Sequence, residues 1–337
     1  MIHRLLLAFL CGVAFALPAQ AQQAQLLQDP QWRSWYATGR HADLERAALA
    51  RLAQQPGDAP AVAALALTAE EFGDARRLQQ ALDAANACIA SKPEAAPCHF
   101  ARGSVLGLQA VQGGGLTAVR LAGDVRAALA KALELDPQFF EARHGLVQFY
   151  LAVPSIAGGS VEKARELAAG ALPRQPEQAK LLRAMVALKE DRLADAEREL
   201  ASIRAGDDIS LLHDQRELKA QLANSHFRAK RLAQARALYE SLQREAPALA
   251  MPVYGLARVA TDEGRLDDAI RLFERARTLD GARRLPVDHR LGQALIAKGD
   301  KAQAKLVLER FVASAKERWV NPRNIDDAKK LLAELAQ

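Results

Sequence analysis

Residues able to do chemistry are scattered along this sequence rather than gathered into motifs. A helical zinc site usually takes histidines three or four residues apart. The histidines beyond residue 21 are His41, His99, His144, His213, His226 and His289. No two of them have the required spacing, so the sequence predicts no metal site.

Two glycine-rich stretches match catalytic loops only in part. Residues 113–115 are three glycines, but the Lys-Ser or Lys-Thr pair of a phosphate-binding loop does not follow at the required spacing. Gly159-Ser160 lacks the second glycine of a nucleophile elbow. Neither stretch follows a predicted strand. We therefore expect a protein that is not an enzyme, with no catalytic residue and no cofactor.

Cys88 and Cys98 stand ten residues apart across one predicted loop between helices. In an oxidising compartment they could form a disulfide bond that joins two neighbouring structural units. The alternative is that they are two small, buried apolar side chains. The sequence leaves both possibilities open.

The first twenty-one residues have the organisation of a secretory signal. Arg4 supplies a positive start, residues 5–17 form an apolar run, and Ala19-Gln20-Ala21 matches a small-x-small cleavage site. Thirteen apolar residues fall short of the roughly 20 needed to span a bilayer. We therefore expect cleavage after Ala21 and a periplasmic protein without a stable membrane span.

Composition favours helices. Half of the 337 residues are hydrophobic but only 5% are aromatic, which suits a core of Ala and Leu between helices better than a sheet. Removing the signal leaves 45 basic and 40 acidic residues, hence 45 − 40 = +5. These charges are interspersed, as with Asp267 and Arg271, which indicates solvated helix faces and no nucleic-acid partner.

The elements that would organise such a chain are repeated helical hairpins. The clearest unit covers residues 250–281, where Leu256-Ala257 occupy one helix and Ala269 and Phe273 the inner face of the next. Equivalent alanines lie at 235, 269 and 304, so the spacings are 34 and 35 residues. Regular spacing of this size is typical of a repeat architecture.

This pattern resembles the tetratricopeptide repeat (TPR), here of an exported bacterial type. The resemblance implies an all-α, right-handed α-solenoid of about seven to eight TPR-like helical hairpins with a C-terminal capping helix, for which Asn324 is the predicted N-cap. The predicted segments are a signal peptide at 1–21, a degenerate first repeat of two helices at 22–58, the solenoid at 59–321 with inserts near 108–122 and 154–160, and the cap at 322–337.

First helices of such repeats line a concave groove, and the resemblance implies a protein or peptide partner held there. The groove positions carried over to this sequence are Phe100, His144, Gln148, Met185, Asn224, Phe227, Arg228, Tyr254, Arg258, His289 and Gln293. Asn224 and Arg290 match a carboxylate-binding subtype of the family, but Ala220, Gly255 and Pro286 depart from it. The expected function is a non-catalytic periplasmic scaffold or adaptor.

The turn at residues 154–160 suggests an alternative function. Its proline followed by Gly-Gly-Ser and then Lys-Ala-Arg is similar to a stretch in TPR subunits of periplasmic solute transporters of the TRAP type. The similarity covers about a dozen residues. It implies a stable complex with a ligand-binding protein.

Overall fold

The computed structural model describes residues 27, 29–72, 74–314 and 321–336. The predicted signal peptide and its cleavage site lie outside these residues. The described part contains seventeen α-helices and no β-strand, and its one isolated bridge joins Leu249 to Asp280. The predicted all-α solenoid of helical hairpins is confirmed.

The helices follow one another with short connections. The first nine are α1 (Pro30–Ala37), α2 (His41–Gln54), α3 (Ala59–Phe72), α4 (Ala75–Ser91), α5 (Ala96–Gln112), α6 (Gly114–Leu135), α7 (Phe140–Ala152), α8 (Val161–Ala171) and α9 (Pro176–Lys189). The others are α10 (Leu193–Ser202), α11 (Ile209–Arg228), α12 (Leu232–Glu245), α13 (Ala250–Asp262), α14 (Leu266–Arg277), α15 (Val287–Lys298), α16 (Lys301–Ala313) and α17 (Pro322–Leu335).

These helices form eight consecutive hairpins, α1–α2 to α15–α16, followed by α17. The turns of four successive hairpins place one residue in the left-handed region: Asp191, Lys230, Gly264 and Gly299. Glycine suits this conformation because it has no Cβ, whereas Asp and Lys adopt it at a cost of about 1 kcal/mol. The recurrence at the same turn shows that the hairpins share one backbone geometry.

Small residues allow the helices to approach closely. Gly255 of α13 lies against the ring of Tyr239 from α12, and Gly292 of α15 lies against Leu308 of α16. Both bulky partners are fully buried. Each hairpin therefore buries its apolar side against its neighbours, as expected of a repeat protein.

The insert near 108–122 extends the third hairpin. Its residues are almost all helical, because α5 continues to Gln112 and α6 begins at Gly114. Ala110, Ala122 and Val125 are buried between the two helices, which explains why these residues are helical. The insert therefore lengthens the hairpin.

The connection at 154–160 is a structured turn. Residues 155–157 form one turn of 3-10 helix, and Gly158 has a φ of 97°. A Cβ at Gly159 would collide with the carbonyl oxygen of Val153. The Ser160 hydroxyl accepts a hydrogen bond of 3.2 Å from the backbone N–H of Lys163 and caps α8.

The last helix begins earlier than predicted. Pro322 takes the first position of α17, and the cap is Asn321, whose side chain accepts from the Arg323 backbone N–H at 2.9 Å. The predicted cap Asn324 lies inside the helix, because proline is well suited to the first helical turn. None of the helices in the described part of the chain is long and apolar enough to cross a membrane.

Candidate partner-binding groove

The first helices of the hairpins surround a cavity of about 660 Å³. Helices α7, α9 and α11 supply most of its wall, and α5 contributes Phe100 and Ser104. The N-terminal segment closes the opposite side through Leu27 and Tyr36, and the Tyr36 ring lies 5.8 Å from that of His213 on α11. The array of hairpins thus curves far enough for its first helix to reach its eleventh.

Six of the eleven predicted groove residues line this cavity. They are Phe100, His144, Gln148, Met185, Asn224 and Arg228. Phe100 is buried, Gln148 and Arg228 are exposed, and the other three are half-buried. These six positions come from four helices, so the repeat geometry brings together residues up to 128 positions apart, from 100 to 228.

The groove continues beyond the cavity as a cluster around Asn224. Its side-chain oxygen accepts hydrogen bonds from the Tyr239 hydroxyl at 2.9 Å and from Arg258 at 2.8 Å. The Arg258 guanidinium also lies 4.1 Å from the centre of the Phe227 ring. Burial raises the pKa of Tyr239 to about 12, so its hydroxyl stays protonated as a donor. Phe227 and Arg258 therefore hold the fold together locally.

Tyr254 is placed differently from the prediction. Its side chain is only 7% exposed and packs with its ring centre 5.8 Å from that of Phe273 on α14. Residues of this kind stabilise the solenoid and present little surface to a partner.

The last two predicted groove residues lie beneath the capping helix. His289 is 2% exposed, and its Nε2 lies 2.7 Å from an Asp327 carboxylate oxygen on α17. Gln293 donates to the same carboxylate at 2.9 Å and accepts from Arg290 at 2.8 Å. Burial lowers the pKa of His289, and the bond to His289 lowers the pKa of Asp327. The groove therefore ends where α17 packs.

Sequence reasoning missed the charged residues of the cavity. Glu141, Asp214 and Glu217 line it, as do Lys189 and Arg228, of which only Arg228 was predicted. Asp214 is 22% exposed, and its carboxylate lies 3.7 Å from His144 Nδ1. Burial raises the pKa of Asp214, against the opposing effect of the nearby histidines. Helical spacing from Asn224 back along α11 is the signal that could have found Asp214 and Glu217.

Within the described residues, no group of three or more His, Cys, Asp or Glu side chains is placed to hold a metal ion. Cys88 and Cys98 form a disulfide bond with an S–S distance of 2.08 Å, which joins α4 to α5. This bond links the second hairpin to the third.

No protein-family model matches the sequence, and no curated protein matches it. Among solved structures it is similar to yeast Tom70, with 16% identity and a TM-score of 0.59 over 88% of this chain and 59% of that one. It is also similar to the APC/C hetero-tetramer Cut9-Hcn1, with 17% identity and a TM-score of 0.53 over 91% and 55%. A tetratricopeptide repeat protein from Parabacteroides merdae matches with 15% identity and a TM-score of 0.47 over 77% and 93%.

The chain spans somewhat more than half of the Tom70 and Cut9-Hcn1 chains that it matches. Identities of this size speak for the fold alone. The stacked hairpins and these two similarities show that the chain has the fold of the tetratricopeptide-repeat proteins.

Proposed function

We propose that the protein is a non-catalytic scaffold or adaptor that binds a protein or peptide partner in its concave groove. The observation that carries this proposal is the cavity of about 660 Å³ between the first helices. Its volume falls within the roughly 300–1,000 Å³ typical of binding pockets. Six positions expected to face a partner line it.

The lining suits a peptide because it includes both apolar and polar side chains. Met185 and Leu188, both half-buried, provide apolar surface that could bury an anchoring side chain. Gln148 and Gln221 are exposed amides at the same cavity, able to donate to and accept from a backbone. Such a combination gives affinity through the anchors and fixes register through the polar groups.

We further propose that the protein works in the periplasm. The proposal rests on the signal-like residues 1–21, which lie outside the described part of the chain, and the Cys88–Cys98 disulfide supports it because such bonds persist in oxidising compartments. Cell fractionation followed by N-terminal sequencing tests it. We expect the mature chain in the periplasmic fraction to begin at Gln22, and an uncleaved chain in the cytoplasm would contradict the proposal.

Site-specific photo-crosslinking in the native host tests the groove directly. A photoreactive phenylalanine analogue replaces Met185 or Gln148 inside the cavity. The matched controls carry it at Glu166 or Glu240, which are exposed on the second helices α8 and α12. We expect a discrete adduct with a partner from the cavity positions alone. Adducts from the control positions and none from the cavity would place binding on another face.

The Gly-Gly-Ser residues of the 154–160 turn have local roles. Gly158 adopts a left-handed conformation, Gly159 allows close backbone approach, and Ser160 caps a helix. Because the turn needs these residues for its own geometry, its similarity to a transporter subunit adds no support for that function.

A further inference from the structure

The charged residues of the cavity are separated by sign. Glu141 is the second residue of α7, and Asp214 and Glu217 lie in the first half of α11. Lys189 is the last residue of α9, and Arg228 is the last residue of α11. All five line the same cavity. The acidic groups therefore lie in the first halves of their helices and the basic groups at helix ends.

Hydrogen bonds show that these helices start at one edge of the groove. The Gln175 side chain, just before α9, donates to the backbone oxygen of Gln138, just before α7, at 2.7 Å. The Gln178 side chain, near the start of α9, donates to Asp208, the cap of α11, at 3.1 Å. Since the starts of α7, α9 and α11 are adjacent, the cavity has an acidic edge and a basic edge.

The two histidines of the cavity lie at the acidic edge. The Nδ1 atom of His144 lies 3.7 Å from the Asp214 carboxylate, and His213 directly precedes Asp214 in the chain. Within the described residues, the Asp214 carboxylate has no ion pair with a Lys or Arg side chain. By contrast, surface carboxylates such as Glu199 bind an arginine, here Arg183, at 2.8 Å. Glu217, like Asp214, has no ion pair with a Lys or Arg side chain within that part of the chain, so these two carboxyl groups have no permanent cation of the fold beside them.

We propose that the groove selects a dipolar peptide segment, with a Lys or Arg side chain at the edge of Asp214 and Glu217 and an Asp or Glu side chain at the edge of Lys189 and Arg228. This inference rests on the proposed function and specifies the chemistry of the partner. Charge complementarity of this kind fixes the direction in which a segment lies and rejects segments of a single sign.

The geometry sets the length of the segment. Asp214 and Arg228 are fourteen residues apart on one helix, which corresponds to about 21 Å at about 1.5 Å per residue. An extended peptide covers about 3.3 Å per residue, so about six residues reach from one edge to the other. Met185, half-buried on α9, lies between the edges and receives an apolar residue in the middle of the segment.

A random hexapeptide library displayed on phage tests the inference with the intact protein. From the wild type we expect peptides with a basic residue near one end and an acidic residue near the other, enriched about tenfold over single-sign peptides. In D214N/E217Q the preference for the basic residue disappears while that for the acidic residue stays. In K189Q/R228Q the preference for the acidic residue disappears while that for the basic residue stays.

Two control variants remove equal charge outside the cavity. E166Q/E240Q removes two exposed carboxylates from α8 and α12, and R244Q/K305Q removes two exposed cations from α12 and α16. Both should select the same peptides as the wild type. Thermal unfolding verifies that each variant is folded, and should D214N/E217Q unfold, the wild type and K189Q/R228Q decide the question.

Three results would overturn the inference. Peptides enriched without charge show that the groove binds peptides but does not read charge, so the proposed function stands alone. If both cavity variants select the same peptides as the wild type, the charged residues of the two edges only stabilise their own helices. If no peptide is enriched, the proposed selection of a dipolar segment is excluded. Photo-crosslinking from Met185 then decides separately whether the groove binds a partner.

Discussion

Replacing Gly255 with alanine should destabilise the solenoid although alanine is the better helix former. Gly255 lies in the interior of α13, and a methyl group there would sit within 2.6 Å of three ring atoms of Tyr239. The Tyr239 side chain is fully buried and its hydroxyl is bonded to Asn224 at 2.9 Å. The ring therefore has little freedom to move away.

Two opposing effects determine the magnitude. Overpacking a core costs about 1–3 kcal/mol, and replacing an interior helical glycine by alanine gains about 1 kcal/mol. Three simultaneous contacts with a held ring place the cost in the upper half of its range. We expect G255A to lower the free energy of unfolding by about 1–2 kcal/mol.

The control is G123A on α6. Gly123 is exposed within the helix, and a methyl group there would meet no atom within 4 Å. This variant should gain about 0.5–1 kcal/mol from helix propensity alone. Urea unfolding followed by circular dichroism compares the midpoints of the three proteins. A G255A midpoint equal to or above that of the wild type would refute the close packing of α12 against α13.

Three further predictions follow from buried groups. Y239F removes a donor to Asn224 and should cost about 1 kcal/mol; in an absorbance titration of the wild type, one of the four tyrosines should ionise near pH 12, and that transition should be absent from the variant. His226 is buried, neither ring nitrogen has a hydrogen-bond partner within the described residues, and burial lowers its pKa from 6.5. Its neutral form is favoured by folding, so stability is full above about pH 6.5 and falls as the pH drops below it. H226L should lose less stability than the wild type between about pH 7 and pH 5, and equal losses would exclude this histidine as a cause. Reducing the Cys88–Cys98 disulfide should lower the free energy of unfolding by about 2–3 kcal/mol, as estimated for a loop of about ten residues. A reductant should then shift the urea midpoint of the wild type but not that of C88A/C98A, and free thiols in the untreated protein would contradict the bond.

The periodic part of the fold could be predicted from the sequence. Ala269 and Phe273 mark the inner face of α14, and the same places are buried alanines and bulky residues in the neighbouring hairpins. The side chains at these positions pack within one hairpin and against its nearest neighbours. The spacing of 34 residues determines those contacts. Prolines and glycines then set the helix ends to within a few residues.

Groove residues were predicted correctly only where successive hairpins pack in the same way. His289 and Gln293 occupy groove positions of their helix, but α17 covers them through Asp327, a contact between residues 38 and 34 positions apart. The closure of the array by Tyr36 against His213 depends on the summed rotation of five hairpins. No local pattern encodes that sum, so the cavity and its charged edges emerged only from the structure.

The most direct test of the account is a steric block of the cavity. Ala152 is exposed at the end of α7 and lines the cavity, whereas Ala169 is exposed on the second helix α8. Introduced into the protein that carries the photoreactive group at Met185, A152W should reduce the yield of partner adduct about tenfold by filling the site, and A169W should leave it unchanged. Equal adduct yields in both variants, with equal thermal stability, would show that the partner does not enter the concave groove.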